Sequence, residues 1–428
     1  MKLFSFHFVY DFERNFPTFF LQHLENEVLL ISIKVGVDNM SSNNKIQSRF
    51  DYQLAFILFL LFCTSCIAIY GAQMTSGQYE ENFLLKQIVW YVVGCFIVAG
   101  VMFFDSEQIQ RMAWYLYGFG IFLLVFLMVA PTSIAKPVNG AKAWFTLPGF
   151  SFQPAEFMKV FLIITLSTII TKHNQKYLKH TLDSDLKLLF KIAVTAIVPI
   201  FLVLKQPDLG TALVMVAIVI GLIFTSGILW RIIISITIIA VIAISTIFYL
   251  VLKAPSILEK YLGVQSYQFG RIYSWLNPEG YKSGEGYHLL NSLKAIGSGQ
   301  IVGKGVGQGQ VYIPENHTDF IFSVIGEQFG FVGTSVVLSL FFLLIYHLIK
   351  VSIETNEEFN SYICAGVISL FVFHVFQNAG MTIGLLPITG IPLPFISYGG
   401  SSLMGSMFAI GLIFGIRWHH KVYMFSSD

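Results

Sequence analysis

The chain has 428 residues, of which 55% are apolar and 12% are charged, and its formal net charge is +2 at pH 7. In an ordinary soluble domain about a quarter of the residues are charged, so this composition excludes that class and indicates a membrane protein. The net charge is too small to indicate nucleic-acid binding.

The N-terminal segment, residues 1–39, has neither a basic start, a long apolar region nor a small-residue cleavage site. It is therefore not a signal peptide. Met40 is followed by the polar, basic sequence SSNNKIQSRFDYQ, which is typical of an N-terminus that stays in the cytoplasm. We favour Met40 as the true start, and the alternative is a short cytoplasmic extension, within residues 1–50, that has no fold of its own.

Ten apolar runs are long enough to cross a hydrocarbon core of about 30 Å as helices. They are residues 52–70, 88–104, 114–130, 157–170, 192–204, 209–224, 232–252, 329–349, 361–375 and 403–416. The predicted fold is therefore an all-α polytopic membrane protein. Its transmembrane domain covers residues 51–417, and residues 418–428 form a cytoplasmic tail.

The lysine and arginine residues of the short loops predict the orientation, because such residues concentrate on the cytoplasmic side. They are Lys45, Arg49, Arg111, Lys172, Lys176, Lys179, Lys187, Lys191, Arg231, Lys350, Arg417 and Lys421. Both termini are then cytoplasmic. The loops that carry Trp144, Asp208, Asp319 and Ser397 all face the opposite, extracytoplasmic side.

Four cysteines all lie within predicted spans, at Cys63, Cys66, Cys95 and Cys364. Cys63 and Cys66 form a C-x-x-C pair, but there is no second pair to complete a metal site. We interpret the cysteines as small buried apolar residues.

The outer loop between the third and fourth spans concentrates polar and aromatic side chains. They are Asn139, Lys142, Trp144, Gln153, Glu156 and Lys159. Glu156 and Lys159 are three residues apart, so they can pair on one helical face. Taken alone, the stretch is typical of an interfacial segment anchored by Trp144 and Phe145. The alternative is a loop that faces a substrate.

The fifth and sixth spans meet in a short turn, KQPDLGT, at residues 205–211. Pro207 and Gly210 explain the turn. Asp208 precedes the next helix, where its side chain can accept hydrogen bonds from free backbone N–H groups. We predict this capping role, and a contribution of Asp208 to a cavity stays open.

Residues 253–318 are hydrophilic for this chain and contain no membrane run, so we interpret them as a large extracytoplasmic loop that handles a substrate. The loop contains Gln268, Arg271, Lys304 and the glycine-rich sequence GSGQIVGKGVGQGQ. Glycines let backbone amides approach an anion, and Arg271 and Lys304 would add positive charge for a pyrophosphate. The glycines alone are weak evidence, because neither a Walker nor a Rossmann pattern is present.

The segment YIPENHTDFIFSVIGEQFGFVG, residues 312–333, is the most informative in the chain. Asp319 follows His317 and Thr318 where a polar loop runs straight into a membrane helix. An acid at that boundary is costly, so it indicates a function. The alternative is that Asp319 caps the start of a long continuous helix.

The last outer loop, GLLPITGIPLPFISYGGSSL, contains Pro387, Pro392 and Pro394 and then Ser397, Gly399 and Gly400. Three prolines prevent a regular helix. Irregular backbone at membrane depth must line protein or a water-filled cavity.

These motifs together resemble the RodA/FtsW family, which is named for shape, elongation, division and sporulation. The similar sequences are NGAKAW and FQPAEFMK around the outer loop between the third and fourth spans, QPDLGT at residues 206–211, the 312–333 segment, and TGIPLPF at residues 389–395. The resemblance extends from residue 51 to about residue 417. TGIPLPF and GKG at residues 303–305 are more similar to RodA than to FtsW, which implies a role in elongation.

The resemblance implies a peptidoglycan glycosyltransferase that polymerises lipid II at the outer face of the cytoplasmic membrane. Asp319 is then the catalytic base or, alternatively, holds a divalent cation such as Mg²⁺ or Mn²⁺. The substrate-binding residues would be Lys142, Trp144, Gln153, Glu156, Lys159, Asp208, Arg271, Lys304, His317, Thr318, Ser397, Gly399 and Gly400. The implied partners are lipid II, the nascent glycan and a class B penicillin-binding transpeptidase.

Two other functions remain open at this point. A transporter that flips lipid-linked precursors would also use outer acids and proline-broken helices, but it would carry ionisable residues at mid-membrane along several spans. A scaffold that only recruits a partner is the second alternative.

Overall fold

The computed structural model describes residues 50–76, 82–136, 141–147, 150–179, 181–253, 266–281 and 284–419. The expectations for Met40, for Asn139 and for the tail beyond His419 lie outside these residues. Within them the chain forms twelve α-helices and one antiparallel pair of short strands. In chain order the elements are α1 (Tyr52–Ser76), α2 (Phe83–Met102), α3 (Ser106–Val129), β1 (Phe145–Leu147), β2 (Phe150–Phe152), α4 (Pro154–Lys176), α5 (Leu182–Lys205), α6 (Leu209–Thr225), α7 (Trp230–Lys253), α8 (Ser266–Leu276), α9 (Glu285–Gly299), α10 (Ile321–Glu354), α11 (Glu358–Thr382) and α12 (Gly400–His419).

Each of the ten predicted spans coincides with one helix. In the described part of the chain, nine of the helices are at least 18 residues long and apolar enough to cross a membrane. The remaining predicted span corresponds to α6, which has 17 residues. The prediction of an all-α polytopic membrane protein is confirmed.

Helix α4 lies at the centre of the bundle. Pro154 opens it, at a position where a missing backbone N–H costs nothing. The helix packs against α3, α5, α6, α11 and α12, and 89% of its membrane segment is buried. Because α4 is enclosed by protein, its polar side chains, such as Glu156, Lys159 and Thr165, are buried as well. At the other extreme, only 12% of the membrane segment of α7 is buried.

Helix α10 is broken near its start. Gly330 has φ 62° and ψ −155°, which divides the helix into residues 321–329 and 331–354. A preceding loop fills the break with four backbone hydrogen bonds: Phe331 N to Gln300 O, Val332 N to Ile301 O, Lys304 N to Glu327 O and Gly305 N to Gln328 O. The alternative of a long continuous helix after Asp319 was wrong: Gly330 interrupts it, and glycine adopts this backbone conformation without the cost that a side chain brings.

The predicted large loop, residues 253–318, is partly helical. It contains α8 and α9, and α9 packs against α10 and α11. A small separate core holds these elements together; its members are Leu289, Ala295, Ile313, Phe320, Met381 and Ile388. On α8, Trp275 Nε1 donates to Gly384 O at 2.8 Å. These helices therefore cover the start of α10 and the end of α11.

The opposite end of the bundle is joined by a group of charges centred on the side chain of Asp51, which is 6% exposed. Asp51 Oδ2 lies 2.7 Å from His347 Nε2 and 3.4 Å from Arg417 Nε, and Arg417 also pairs with Glu354. These contacts connect the start of α1 with the ends of α10 and α12. Burial raises the pKa of Asp51, but the hydrogen bonds from His347 and Leu54 and the neighbouring positive charges outweigh it, so the pKa is lowered.

Candidate functional site

Asp319 lies in a turn, residues 314–320, that leads directly into α10, and it is partly exposed. The N-cap of α10 is Phe320, whose side chain makes no capping hydrogen bond. Asp319 lies one residue before this position and is therefore not the N-cap residue. Its backbone carbonyl accepts a hydrogen bond of 2.8 Å from Asn378 Nδ2 on α11.

His317 is buried and its ring stacks on Phe83, with 4.2 Å between ring centroids and 14° between planes. Its backbone carbonyl accepts a hydrogen bond of 2.9 Å from Tyr398 N. Burial lowers the pKa of the imidazole below its usual 6.5, and the negative charge of Glu315 opposes this only in part. The ring is therefore neutral at neutral pH and does not supply a cation.

Thr318 and Ser397 connect the turn to the last outer loop. The buried Ser397 Oγ donates to Thr318 O at 2.6 Å and accepts from Leu393 N at 2.8 Å. The Thr318 hydroxyl donates to Glu315 O at 3.1 Å. Ser397 therefore fixes the backbone of both segments.

The proline-rich segment, residues 383–399, contains no helix and runs against side chains of α1 and α2. Its carbonyl oxygens accept hydrogen bonds from Ser65 Oγ at Ile396, from Gln87 Nε2 at Ser397 and from Tyr91 OH at Phe395. We expected this irregular backbone to line either protein or a water-filled cavity, and these contacts show that it lies against protein side chains. At the start of α12, a Cβ on Gly400 would lie 2.7 Å from the Trp90 ring, whereas a Cβ on Gly399 would meet only Ser402, at 3.7 Å.

Asp208 joins the starts of two helices. It is the N-cap of α6, where its Oδ1 accepts from Thr211 N at 3.0 Å, and its Oδ2 accepts from Gln153 Nε2 at 2.7 Å. The predicted capping role of Asp208 is confirmed. Gln153 is the N-cap of α4, and its backbone N–H donates to Ser401 Oγ on α12 at 3.0 Å. Gln153 and Asp208 thus lie with Ser397, Gly399 and Gly400 at the end of the bundle that carries Asp319.

Glu156 and Lys159 form the predicted ion pair, with 2.8 Å between Oε2 and Nζ. The Lys159 side chain is only 2% exposed, and its Nζ also lies 3.1 Å from His374 Nε2. A carbonyl only accepts, so His374 Nδ1 donates to Pro392 O at 3.2 Å and Nε2 accepts from Lys159. Both charges belong to α4 and are buried, with 2% of the Lys159 and 6% of the Glu156 side chain exposed, and Lys159 faces His374 of α11.

Lys142 and Trp144 precede the strand pair β1–β2. Lys142 Nζ donates to the carbonyls of Met128 and Ala130 at the end of α3, where a positive charge is favourable. Trp144 is partly buried. On the strands, the rings of Phe145 and Phe152 stack at 6.5 Å.

Lys304 pairs with Glu327 on the first half of α10, with 2.7 Å between Nζ and Oε1. Glu327 is buried, and its Oε1 also accepts from Gln310 N at 2.8 Å and Val311 N at 3.2 Å. The backbone amides of Lys304 and Gly305 are used at the break of α10. The glycine-rich loop is thus organised around Glu327 and Gly330.

Arg271 lies on α8 and is partly buried. It is four residues before Trp275, so the two side chains share one face of the helix. Trp275 binds Gly384 O, so this face is turned toward the beginning of the proline-rich segment. The side chain of Gln268 lies outside the described residues.

The sequence reasoning missed three buried polar side chains that hold this end of the protein together: Gln87, Glu327 and Asn378. All three interrupt apolar helical segments, and a polar residue at such a position is itself a signal of a specific role. Among the described residues, no group of three or more His, Cys, Asp or Glu side chains is placed to hold a metal ion.

The chain is similar to the members of one known family. The profile of the cell cycle protein family FtsW/RodA/SpoVE matches residues 52–422. A probable peptidoglycan glycosyltransferase FtsW of Trichlorobacter lovleyi is 32% identical over 86% of this chain and 93% of its own length. Stage V sporulation protein E of Bacillus subtilis is 32% identical over 87% of this chain and 98% of its own length. The peptidoglycan glycosyltransferase RodA of Treponema pallidum is 30% identical over 86% of this chain and 98% of its own length.

Solved structures share the fold. A chain from a peptidoglycan synthase complex that coordinates polymerisation and crosslinking superimposes with a TM-score of 0.68 and 26% identity, covering 86% of this chain and 97% of that one. The rod shape determining protein RodA of Thermus thermophilus superimposes with a TM-score of 0.62 and 24% identity, covering 87% of this chain and 98% of that one. The helices of the described residues are therefore arranged as in a known architecture.

Proposed function

Because the chain belongs to the FtsW/RodA/SpoVE family of cell cycle proteins, we propose that it is a multi-pass membrane peptidoglycan glycosyltransferase that polymerises lipid II. Relatives that cover most of the chain are named peptidoglycan glycosyltransferases. The observation that carries the assignment of the site is Asp319, a partly exposed carboxylate beside the N-terminus of a membrane helix, in a turn held on both sides by other segments.

The reaction joins a sugar hydroxyl of one substrate to the anomeric carbon of another, and the polyprenyl pyrophosphate leaves. A base must take the proton of the attacking hydroxyl, and Asp319 is the group we assign to that step. The turn fixes its backbone before substrate arrives, so little reorganisation is needed at the moment of reaction.

The leaving pyrophosphate requires positive charge. Arg271 is our first choice for this charge, because Trp275 on the same face of α8 binds Gly384 O at the beginning of the proline-rich segment. Asp319 also fits the donor set of Mg²⁺ or Mn²⁺, which is commonly held by one or two carboxylates and the phosphates of a substrate. Such an ion would supply positive charge at the leaving group.

The orientation and the partner are part of the proposal. We place both termini in the cytoplasm and the Asp319 end outside, because the lysine-rich connection between α4 and α5 lies at the other end of the bundle.

We also propose a class B penicillin-binding transpeptidase as the partner, which the likeness to a chain of a peptidoglycan synthase complex supports. Relatives named FtsW, RodA and SpoVE are about equally similar, and the RodA-like motifs are our reason for favouring elongation.

The test is polymerisation of labelled lipid II by the purified full-length chain. The proposal predicts glycan strands from the wild type and a loss on the order of 10² to 10⁴ in rate for Asp319→Asn, with folding preserved. Asp208→Asn is the control, since asparagine caps a helix as well as aspartate does. Translocation of lipid II in vesicles without glycan would instead identify a flippase, and neither activity would identify a scaffold. Normal synthesis by Asp319→Asn would refute the assigned base.

A further inference from the structure

Asn378, on α11, is completely buried and contacts the two segments that meet at the candidate site. Its Nδ2 donates to Asp319 O at 2.8 Å and to Ile391 O at 2.7 Å. A carbonyl oxygen cannot donate, so only the NH₂ group of the amide can make both contacts. One side chain therefore ties the turn that carries Asp319 to the proline-rich segment.

We infer that Asn378 is a positioning residue for Asp319. The inference rests on the proposed role of Asp319. Asn378 does not touch the carboxylate itself; it fixes the peptide that follows Asp319 and so sets the direction in which the side chain leaves the backbone.

The cost of this arrangement supports a specific role. Within the described part of the chain, Asn378 Oδ1 is buried and accepts no hydrogen bond. Burying an unsatisfied acceptor is unfavourable. A residue needed only for packing would be better replaced by an apolar side chain of the same shape, so we attribute the asparagine to its two donors.

A neighbouring residue provides a matched control. Gln377 is also buried on α11, and its Nε2 donates to Pro387 O at 3.0 Å. It therefore holds the same proline-rich segment through a similar amide. This hydrogen bond does not involve the turn that carries Asp319. Comparing the two residues therefore separates an effect on the proline-rich segment from an effect on Asp319.

The first experiment compares Asn378→Leu with Gln377→Met, each close in shape to the original side chain. The purified full-length proteins are assayed for kcat and KM with labelled lipid II. We expect kcat of Asn378→Leu to fall on the order of 10- to 100-fold, with KM changed little, because small displacements of a catalytic group have such effects. Gln377→Met should keep a kcat close to that of wild type, because the hydrogen bond it loses is to Pro387 and not to the Asp319 turn. Equal losses in both variants, or a wild-type kcat in Asn378→Leu, would overturn the inference.

A second pair covers the case in which Asn378→Leu does not fold. Burial keeps a carboxyl neutral, and a neutral carboxyl has one O–H donor. The Gln377→Glu variant can then keep its one hydrogen bond, to Pro387 O. The Asn378→Asp variant can keep only one of its two, to Asp319 O or to Ile391 O. We expect reduced kcat in Asn378→Asp alone, and equal activity in the two acids would contradict the inference.

Hydrogen–deuterium exchange supplies a measurement that does not depend on activity. Exchange should rise in peptides covering residues 314–323 in the Asn378 variants and not in the Gln377 variants. Full activity of Asp319→Asn would remove the premise, whereas an active Asn378→Leu protein beside an inactive Asp319→Asn protein would overturn this inference alone.

Discussion

Asp319 Oδ2 lies 3.3 Å from the position that a side-chain Cβ would occupy on Gly390, whose φ is +69°. Glycine at this position therefore serves two purposes. It permits a left-handed backbone in the proline-rich segment, and it leaves space for the carboxylate of Asp319.

Gly390→Ala should for this reason reduce polymerisation. The left-handed conformation costs about 1–2 kcal/mol for a residue with a Cβ, and the methyl group presses on the carboxylate. We expect kcat with lipid II to fall on the order of 10- to 100-fold. Gly297→Ala is the control, because on α9 an added Cβ would meet nothing within 4 Å. The explanation fails if the two alanine variants have the same kcat.

Glu327→Gln should destabilise the protein. The substitution removes the charge that Lys304 pairs with and weakens the acceptor of two backbone N–H groups, which costs about 1–3 kcal/mol. The measurement is the midpoint of thermal unfolding in detergent. Glu107→Gln serves as the control: its partner is Arg111 and both side chains are more than three quarters exposed, at 78% and 79%, so no measurable change is expected. A similar midpoint in both variants would contradict the role given to Glu327.

His317 should make the protein less stable in acid. Its pKa is lowered from 6.5 by burial, so the folded state binds fewer protons than the unfolded state. The resulting stabilisation is present above pH 6.5 and is lost as the pH falls from there through the folded-state pKa. Between about pH 7.5 and about pH 5.5, the unfolding temperature of wild type should fall more than that of His317→Phe. Parallel curves for the two proteins would show that His317 does not contribute.

The proposed orientation predicts which loops are accessible from outside. Glu279 and Lys179 are both exposed, and they belong to connections at opposite ends of the bundle. In a cysteine-free background, Glu279→Cys should react with an impermeant maleimide added to intact spheroplasts. Lys179→Cys should react only after permeabilisation. The reverse pattern would place the Asp319 end in the cytoplasm.

The features that could be predicted from the sequence are those with a local cause. Apolar runs specify the spans, the three-residue spacing of Glu156 and Lys159 specifies their pair, and Asp208 before an apolar helix specifies a cap. The break at Gly330 could not be predicted, because it depends on a loop some thirty residues earlier in the chain that supplies the missing hydrogen bonds. The partner of Lys304 and the two contacts of Asn378 are likewise set by tertiary structure.

The break in α10 also makes the depth of Asp319 independent of the thickness of the bilayer. The part of α10 beyond Gly330, residues 331–354, is roughly 36 Å long at 1.5 Å per residue, enough to span the hydrocarbon core by itself. Helices adapt to thinner or thicker bilayers by tilting. In an uninterrupted helix, such tilting would carry Asp319 along. With the break, residues 321–329 take their position from the loop around Glu327 and from α9, so the depth of the carboxylate is set by protein neighbours and is insulated from the length of the surrounding lipid chains.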